Sequence, residues 1–312
     1  MGVPANLTDA AALNASFDKE FIKNFKGDSD RLAEILGIFS PEIKPVGTVL
    51  KMLKVTGNLV NTKTDPTKAE ATGAITLGHS SGSAYVEGDE VSLSKFNASL
   101  EAVGEIKLKP YRKMTSIKAV DKAGVVNSVM ATDRKMLSLV RADIVKDFFA
   151  LLETGTGEAT AKGLQLAAAT VDAKLGDTLE KNGDASNRII HFISREDAAA
   201  YLGAAPITTQ NVFGMTYLQN FLGMTDVFLT SQVQKGKMYA TPVENIHIFG
   251  ADFGAYAAAG LPYETSSNGL IGVAHTPAYD HVSVETNVLT GMLLFPEVKD
   301  YIIKGTITPA AA

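Results

Sequence analysis

Phe17, Phe21 and Phe25 recur at every fourth position with Ile22 beside them, and Gly27 interrupts the run. That spacing predicts a short amphipathic helix. A second one, capped by Asp28 or Ser29, carries Leu32, Ile35 and Leu36 on one side. Stripes this small bury too little to stand alone, so residues 1–45 read as an arm that docks on the rest of the chain or on a neighbouring copy. Pro41, Pro45 and Gly47 break the helical pattern.

Residues 46–112 are rich in Thr, Val, Ser, Gly and Lys. Val46, Val49, Leu50, Leu53 and Val55 lie among polar residues, and 61–68 is a polar turn region. Glu105-Ile106-Lys107-Leu108-Lys109 alternates as a strand with one wet face does. The pattern predicts a long, exposed β-hairpin. With so few large apolar residues it needs a partner surface.

The most regular helical pattern covers 125–152, where Val126, Val129, Met136, Val140, Ile144, Phe148 and Leu151 advance by three, four or seven. A helix of that length reaches roughly 40 Å, the dimension of a strut. After Gly155 and Gly157, helix and strand alternate. An Ala-rich helix is predicted over 164–179, and a buried strand over 188–193. Ser194 caps a helix reaching Leu202, and strands follow at 227–229 and 245–249. The last third adds strands at 269–273, 282–294 and 301–307, and no repeat period is present. The class is α+β.

A length of 312 residues gives a prior of about two domains, and 46% hydrophobic with 20% charged residues is ordinary globular usage. The formal net charge of -5 argues against a surface that grips phosphates throughout. The absence of cysteine removes disulfides, thiolate metal sites and cysteine nucleophiles. Residues 1–15 lack the pattern of a secretory signal, and no window approaches the roughly 18 apolar residues of a membrane span. A soluble protein made in the cytoplasm is expected, with no membrane partner.

Candidate chemistry is thin. Gly78-His79-Ser80-Ser81-Gly82 fits the nucleophile-elbow pattern of a serine hydrolase using Ser80, but the residues after it are not helical, and a turn fits better. Gly155-Thr156-Gly157 with Lys162-Gly163 has the wrong order for a phosphate loop, and reads as a helix end followed by a flexible joint. The five histidines lack the i, i+4 spacing of a helical metal site, and His191 and His247 read as core-facing or strand-edge residues. Asn6, Asn14 and Asn97 begin glycosylation sequons that carry no information without a secretory signal. The densest basic stretch, from Lys107 through Arg112 and Lys113 to Lys122, has one interleaved aromatic, Tyr111. It reads as a solvated strand face or a salt-bridging surface for another subunit. No catalytic, metal or cofactor-binding residue is expected.

Four stretches together resemble the major capsid protein of tailed double-stranded DNA bacteriophages, the Hong-Kong-ninety-seven-type fold. Val86-Glu87-Gly88-Asp89-Glu90-Val91 with the strand from Glu105 to Lys113 is similar to the acidic turn and returning strand beneath the family's extended loop. Phe192-Ile193-Ser194-Arg195-Glu196-Asp197 resembles the strand and helix of its axial domain. Lys235-Gly236-Lys237-Met238-Tyr239 resembles the segment leading back out of it. Ser267-Asn268-Gly269-Leu270-Ile271, leading to Glu285 and Thr286, resembles the peripheral return. Their order and spacing carry the resemblance, which runs from about Phe17 to Ile307.

The resemblance implies an N-terminal arm (1–45), an extended β-hairpin loop (46–112), a peripheral domain with a long spine helix (113–158) and an axial domain (159–262). Peripheral return strands (263–295) and a C-terminal strand and tail (296–312) complete it. It implies a major capsid protein, not an enzyme, that self-assembles as a homo-oligomer into the pentamers and hexamers of an icosahedral shell. Packaged double-stranded DNA would be in non-specific contact, with a separate scaffolding protein and a portal as partners. The location would be the virion capsid, assembled in the host cytoplasm. No long helical extension of the kind that acts as a fused scaffold precedes the arm, which fits a separate scaffolding protein, and a chain starting at Met1 is expected to lose no propeptide. Candidate inter-subunit contacts are Phe17, Phe21, Lys54, Lys63, Lys68, Arg112 and Lys113. An encapsulin-like nanocompartment shell is the alternative.

Overall fold

The computed structural model describes residues 36–47, 49–58, 94–186, 188–202, 210–212, 215–221, 224–258, 260–261, 263–266 and 269–309. The chain begins there with Leu36 and Phe39 buried, then enters strand β1 (Glu42–Lys44). Strands β2 (Val49–Asn58) and β3 (Lys95–Glu105) pair antiparallel as a separate ribbon. Next come β4 (Lys107–Ser116), helix α1 (Ile117–Ala123) and the long helix α2 (Val125–Glu153). The latter matches the strut predicted over 125–152.

Strand β5 (Gly157–Lys162), helix α3 (Leu164–Asn182), β6 (Ile189–Ser194) and helix α4 (Arg195–Leu202) follow. Then come β7 (Gln210–Val212), β8 (Met215–Phe221), β9 (Met224–Thr230), β10 (Lys237–Pro242), β11 (Ile246–Ala251) and helix α5 (Gly254–Ala258). The last strands are β12 (Glu264–Thr265), β13 (Ile271–Ala278), β14 (Ser283–Pro296) and β15 (Ile303–Thr308). Among the described residues no helix is long and apolar enough to cross a membrane.

Two larger sheets share the long helix. The first has the order β1-β11-β14-β13-β12, with β4 also paired to β14. The second has the order β5-β15-β10-β6-β9-β8-β7. On α2, Leu137, Val140, Ile144 and Phe148 project at helical spacing into one core that contains Ile246, Ile248 and Val273 of the first sheet and Ile190, Phe192 and Phe228 of the second. Rings of Phe39, Phe149 and Phe192 surround Phe148 at 5.3 to 5.6 Å between centroids.

Helix α3 covers the opposite face of the second sheet, where Val171 and Leu175 meet Ile193, Leu229, Met238 and Ile303. Alternate residues of β6 and β10 therefore point to different helices. That explains why Ile189-Ile190-His191-Phe192-Ile193 is an apolar run instead of an alternating one. Ser194 starts α4 as the sequence predicts, its Oγ accepting the Glu196 amide at 3.3 Å.

Several boundaries differ from the sequence reading. The loop expected to extend to Arg112 ends at Ile106, which is buried beside Ala251 and Phe253 and marks the point where the chain re-enters the body. From Lys107 onward it belongs to the first sheet. The strand near 245–249 also lies in the first sheet, paired to β14, and not with the β6 to β10 region. Pro242 ends β10, and the buried Asn245 fixes the crossover: its side chain and carbonyl accept the amides of Val298 and Glu297, both at 2.8 Å. Strand β15, the last strand of the chain, is inserted between β5 and β10 of the second sheet.

The flexible joint expected at 155–157 is close packed instead. A Cβ on Gly155 would stand 2.6 Å from the carbonyl oxygen and Cβ of Ile302. Glycine is needed there because backbone meets backbone.

Ile144→Asp should destabilise the folded chain by roughly 4 kcal/mol, because the carboxylate would enter the core shared by both sheets without a partner. Chemical denaturation followed by circular dichroism measures this, and a midpoint unchanged from the parent would contradict the placement.

Candidate assembly surfaces

The β2–β3 ribbon is amphipathic and stands apart. Its register sets Leu53 opposite Leu100, Val55 opposite Ala98 and Gly57 opposite Phe96. Side chains of directly paired residues share a face, so these six positions form one apolar surface. The Phe96 ring lies over Gly57, within 2.3 Å of where a Cβ would be. The opposite face carries Met52, Lys54, Thr56, Asn97, Ser99 and Glu101, with Lys54 and Glu101 paired at 3.5 Å.

Among the described residues that apolar face is open: Leu53 is 60% exposed and Leu100 67%, with Val55 and Phe96 also open to solvent. At the root, the register slips between Leu50 and Lys51. Gly104, at φ +154, lies where a Cβ would approach Leu293 of β14 to 3.3 Å. The slip is a β-bulge, which bends a ribbon where it leaves its sheet.

Strand β4, continuing from the ribbon, is tied to α2 by a row of polar contacts. Its odd-numbered side chains face the helix. Lys109 reaches Asp147 at 2.5 Å and Asp143 at 3.2 Å, and the Tyr111 hydroxyl donates to Asp143 at 2.6 Å. Burial and this bond to a carboxylate push the Tyr111 pKa up to about 12. The hydrogen bond from Tyr111, with Lys109 beside it, holds Asp143 below the usual carboxylate range.

Farther along, Lys113, Thr286 and His275 stand directly opposite one another on β4, β14 and β13, and all three converge on the single carboxylate of Asp133. Lys113 Nζ and Thr286 Oγ1 each lie 2.8 Å from Oδ1, and His275 Nε2 lies 3.0 Å from Oδ2. Asp133 is only 1% exposed. Burial alone would raise its pKa, but the bonds from His275 and Lys113 outweigh that and lower it. At the far end of α2, Glu153 accepts the Tyr239 hydroxyl at 2.5 Å and Lys237 at 3.1 Å, joining the helix to the second sheet.

A second exposed patch lies at the turn between β13 and β14. Tyr279 is 86% exposed, and Met114, Ile117 and Val282 nearby are open. The Ile117 amide donates to the Val282 carbonyl at 3.1 Å. Val282 is held at φ +48, a costly conformation for a β-branched residue.

Of the residues expected to touch other subunits, Lys54 lies on the polar face of the ribbon. Arg112 is exposed but pairs with Glu285 of its own chain. Lys113 has its ammonium committed to Asp133 and to Thr132 Oγ1 at 2.6 Å. Phe17, Phe21, Lys63 and Lys68 lie outside the described residues, as does the Ser80 motif. The apolar ribbon face escaped the list of expected contacts, although Phe96, Ala98, Leu100 and Ala102 alternate with polar residues in the sequence. His191 is buried, with Nε2 2.8 Å from Asp172, and His247 stacks on Phe295 at a half-exposed position. Among the described residues no three His, Asp or Glu side chains are arranged to hold a metal ion.

Comparison with known proteins places this architecture. No family model matches the chain, and no curated relative matches its sequence. Among solved structures, the capsid of cyanophage P-SCSP1u superposes with a TM-score of 0.52 at 8% identity, over 86% of this chain and 87% of that one. A protein of Mycobacterium phage Che8 gives 0.51 at 10% identity, over 87% and 86%. The chain has the Hong-Kong-ninety-seven-type capsid fold. The encapsulin of Synechococcus elongatus also matches, at 0.48 and 10% identity over 88% of each chain.

Asp133→Asn should lower stability at neutral pH by about 3 kcal/mol, because Lys113 loses its counter-charge and one of the two oxygens shared by Lys113 and His275 becomes a donor. Since the folded-state pKa of Asp133 lies below its unfolded value, its contribution is complete above pH ~4 and fades as pH falls through the folded-state pKa. The stability difference between parent and variant should therefore shrink below pH ~4. Denaturant titrations from pH 7 to pH 2 measure it, and a constant gap would contradict the assignment.

Proposed function

We propose that this chain is the major capsid protein of a tailed double-stranded DNA phage, self-assembling into pentamers and hexamers of an icosahedral shell. The observation that carries the reading is the uncovered apolar face of a ribbon standing off a capsid-type body. A two-stranded ribbon with one greasy face is marginal alone in water, and gains its burial when identical subunits meet. In this reading the first sheet and the strut helix form the peripheral region, and the second sheet with α3 and α4 forms the axial region at the ring centres. Residues 1–45 act as the arm.

The remaining parts of the proposal follow from the same reading. A net charge of -5 suits a wall beside packaged DNA, where tight binding to every phosphate would oppose packaging and release. The DNA contact is then non-specific. A separate scaffolding protein and a portal complete assembly in the host cytoplasm, and the product resides in the virion. The chain's role is structural and not catalytic.

Expressed alone or with its scaffold, the protein should form closed shells of megadalton mass in electron micrographs and light scattering. Leu53→Asp together with Leu100→Asp should leave a folded subunit of parent-like circular dichroism that forms no shells. A parent protein monomeric under every assembly condition would overturn the proposal. Portal and terminase genes beside this one fit the phage reading, whereas an adjacent cargo-enzyme gene would assign the shell to an encapsulin-like compartment.

A further inference from the structure

We propose that the outward face of helix α2 is a docking surface for an acidic, amphipathic helix of a separate partner protein. The inference rests on the shell-subunit reading and names the face by which its scaffolding partner would be recognised.

The charges of α2 are sorted by side. Three of its four carboxylates, Asp133, Asp143 and Asp147, point to the first sheet and bind Lys113, Tyr111 and Lys109 there. The fourth, Glu153, closes the last turn against Tyr239 and Lys237. At about 100° per residue, Arg134, Lys135, Ser138, Leu139, Ala142 and Lys146 fall within about 140° of arc on the other side. All six are exposed. Among the described residues none of the three cations is held in an ion pair, and Lys146 acts on Asp143 only at a distance, through its charge. A helix built only for its own stability would pair opposite signs one turn apart on this side. Here a chain of net charge -5 keeps a strip of one sign.

Charge selects an anionic partner, and Leu139 selects which kind. It is 58% exposed between the two cationic ends of the strip, with Ser138 and Ala142 on the same face. Phosphates of a nucleic acid would pair with the cations and leave Leu139 in water. A helix with carboxylates flanking an apolar row satisfies both, because complementary charge sets its orientation while Leu139 gains burial. The small side chains at Ser138 and Ala142 let the two axes approach to the roughly 8 Å of close helix packing. Arg134 and Lys146 are twelve residues apart, about 18 Å along the axis, so a partner helix of about four turns spans the strip.

The probe is a synthetic peptide of three Glu-Ala-Leu-Ala-Ala-Leu-Glu repeats, labelled with fluorescein and titrated with the full, unassembled chain. Anisotropy should report binding that weakens about tenfold between ~50 mM and ~300 mM salt. Arg134→Glu with Lys146→Glu, of parent-like circular dichroism, should lose this peptide and bind instead the matching peptide with Lys in place of Glu. Leu139→Ser should weaken binding of the acidic peptide at both salt concentrations. Equal binding by the parent and the double variant, or no salt-sensitive binding by the parent, would overturn the inference. So would unchanged affinity in Leu139→Ser together with displacement of the peptide by a double-stranded DNA oligonucleotide, which would assign the face to nucleic acid. Those outcomes leave the capsid reading standing, whereas a parent that forms no shells removes that reading and leaves the peptide titration as it is.

Discussion

Two paired strands cannot cover both of their own faces, and this constraint governs how the chain is built. Leu53, Val55, Leu100 and Phe96 lie on one side of the ribbon, which among the described residues meets the body around its bulged root at Gly104 and Leu293. A face held off the body contributes nothing to the stability of one copy. The remaining elements account for how it is presented. Ile106 anchors the strand that leaves the ribbon, and β4 runs from it down the length of β14 in ten paired residues. The direction of the ribbon is therefore set by the first sheet.

The seam beneath that anchor is polar where a hydrophobic one would have been more stabilising. Lys109, Tyr111 and Lys113 of β4 meet Asp147, Asp143 and Asp133 of α2 in sequence. Surface members of such a row contribute little each, and a buried ion pair offsets its desolvation only when every lone pair is used. Asp133 meets that condition, with Lys113, Thr286 and His275 arriving from three adjacent strands. Such a node acts mainly through register: sliding β4 by one residue would turn Lys113 away and leave a buried carboxylate unpaired. Stability itself comes from the aromatic core around Phe148, which joins the two sheets through one helix. The division is physical: apolar packing supplies cohesion, and the charged seam supplies alignment.

The sequence disclosed the elements better than their partners. The strut was legible because Val129, Val140, Ile144 and Phe148 repeat at helical spacing, and the apolar run through Phe192 announced a strand covered on both faces. Ribbon strands were legible as an exposed hairpin, because their alternation is surrounded by Lys, Thr and Ser. What could not be read was which sheet each strand joins. The strand at Ile246 looks like its neighbours, and only Pro242 and the two bonds made by Asn245 send it to β14. The Asp133 node left no local signature either, since Thr286 and His275 lie more than 140 residues from Asp133 and reach it only through strand register. Lys113 was picked out as a contact to another subunit for its charge, while the fold gives that charge a partner on its own chain.

A long exposed ribbon with a greasy face invites indiscriminate pairing, so its surroundings must discourage the wrong partners. Among the described residues both outer edges of the ribbon lack a strand partner over about ten residues, the usual template for edge-to-edge aggregation. Charged side chains along it, Lys51, Lys54 and Lys95 with Glu101 and Glu105, make edge pairing favourable only in registers that match opposite charges. The apolar strip itself is only a few side chains long, small enough that one contact is weak. A weak contact is corrected easily when a subunit arrives in a wrong orientation, and becomes durable only when many are closed in a ring. Reversible single contacts and cooperative closure are what error-free growth of the proposed shell would require, and a short greasy strip has the dimensions to supply them.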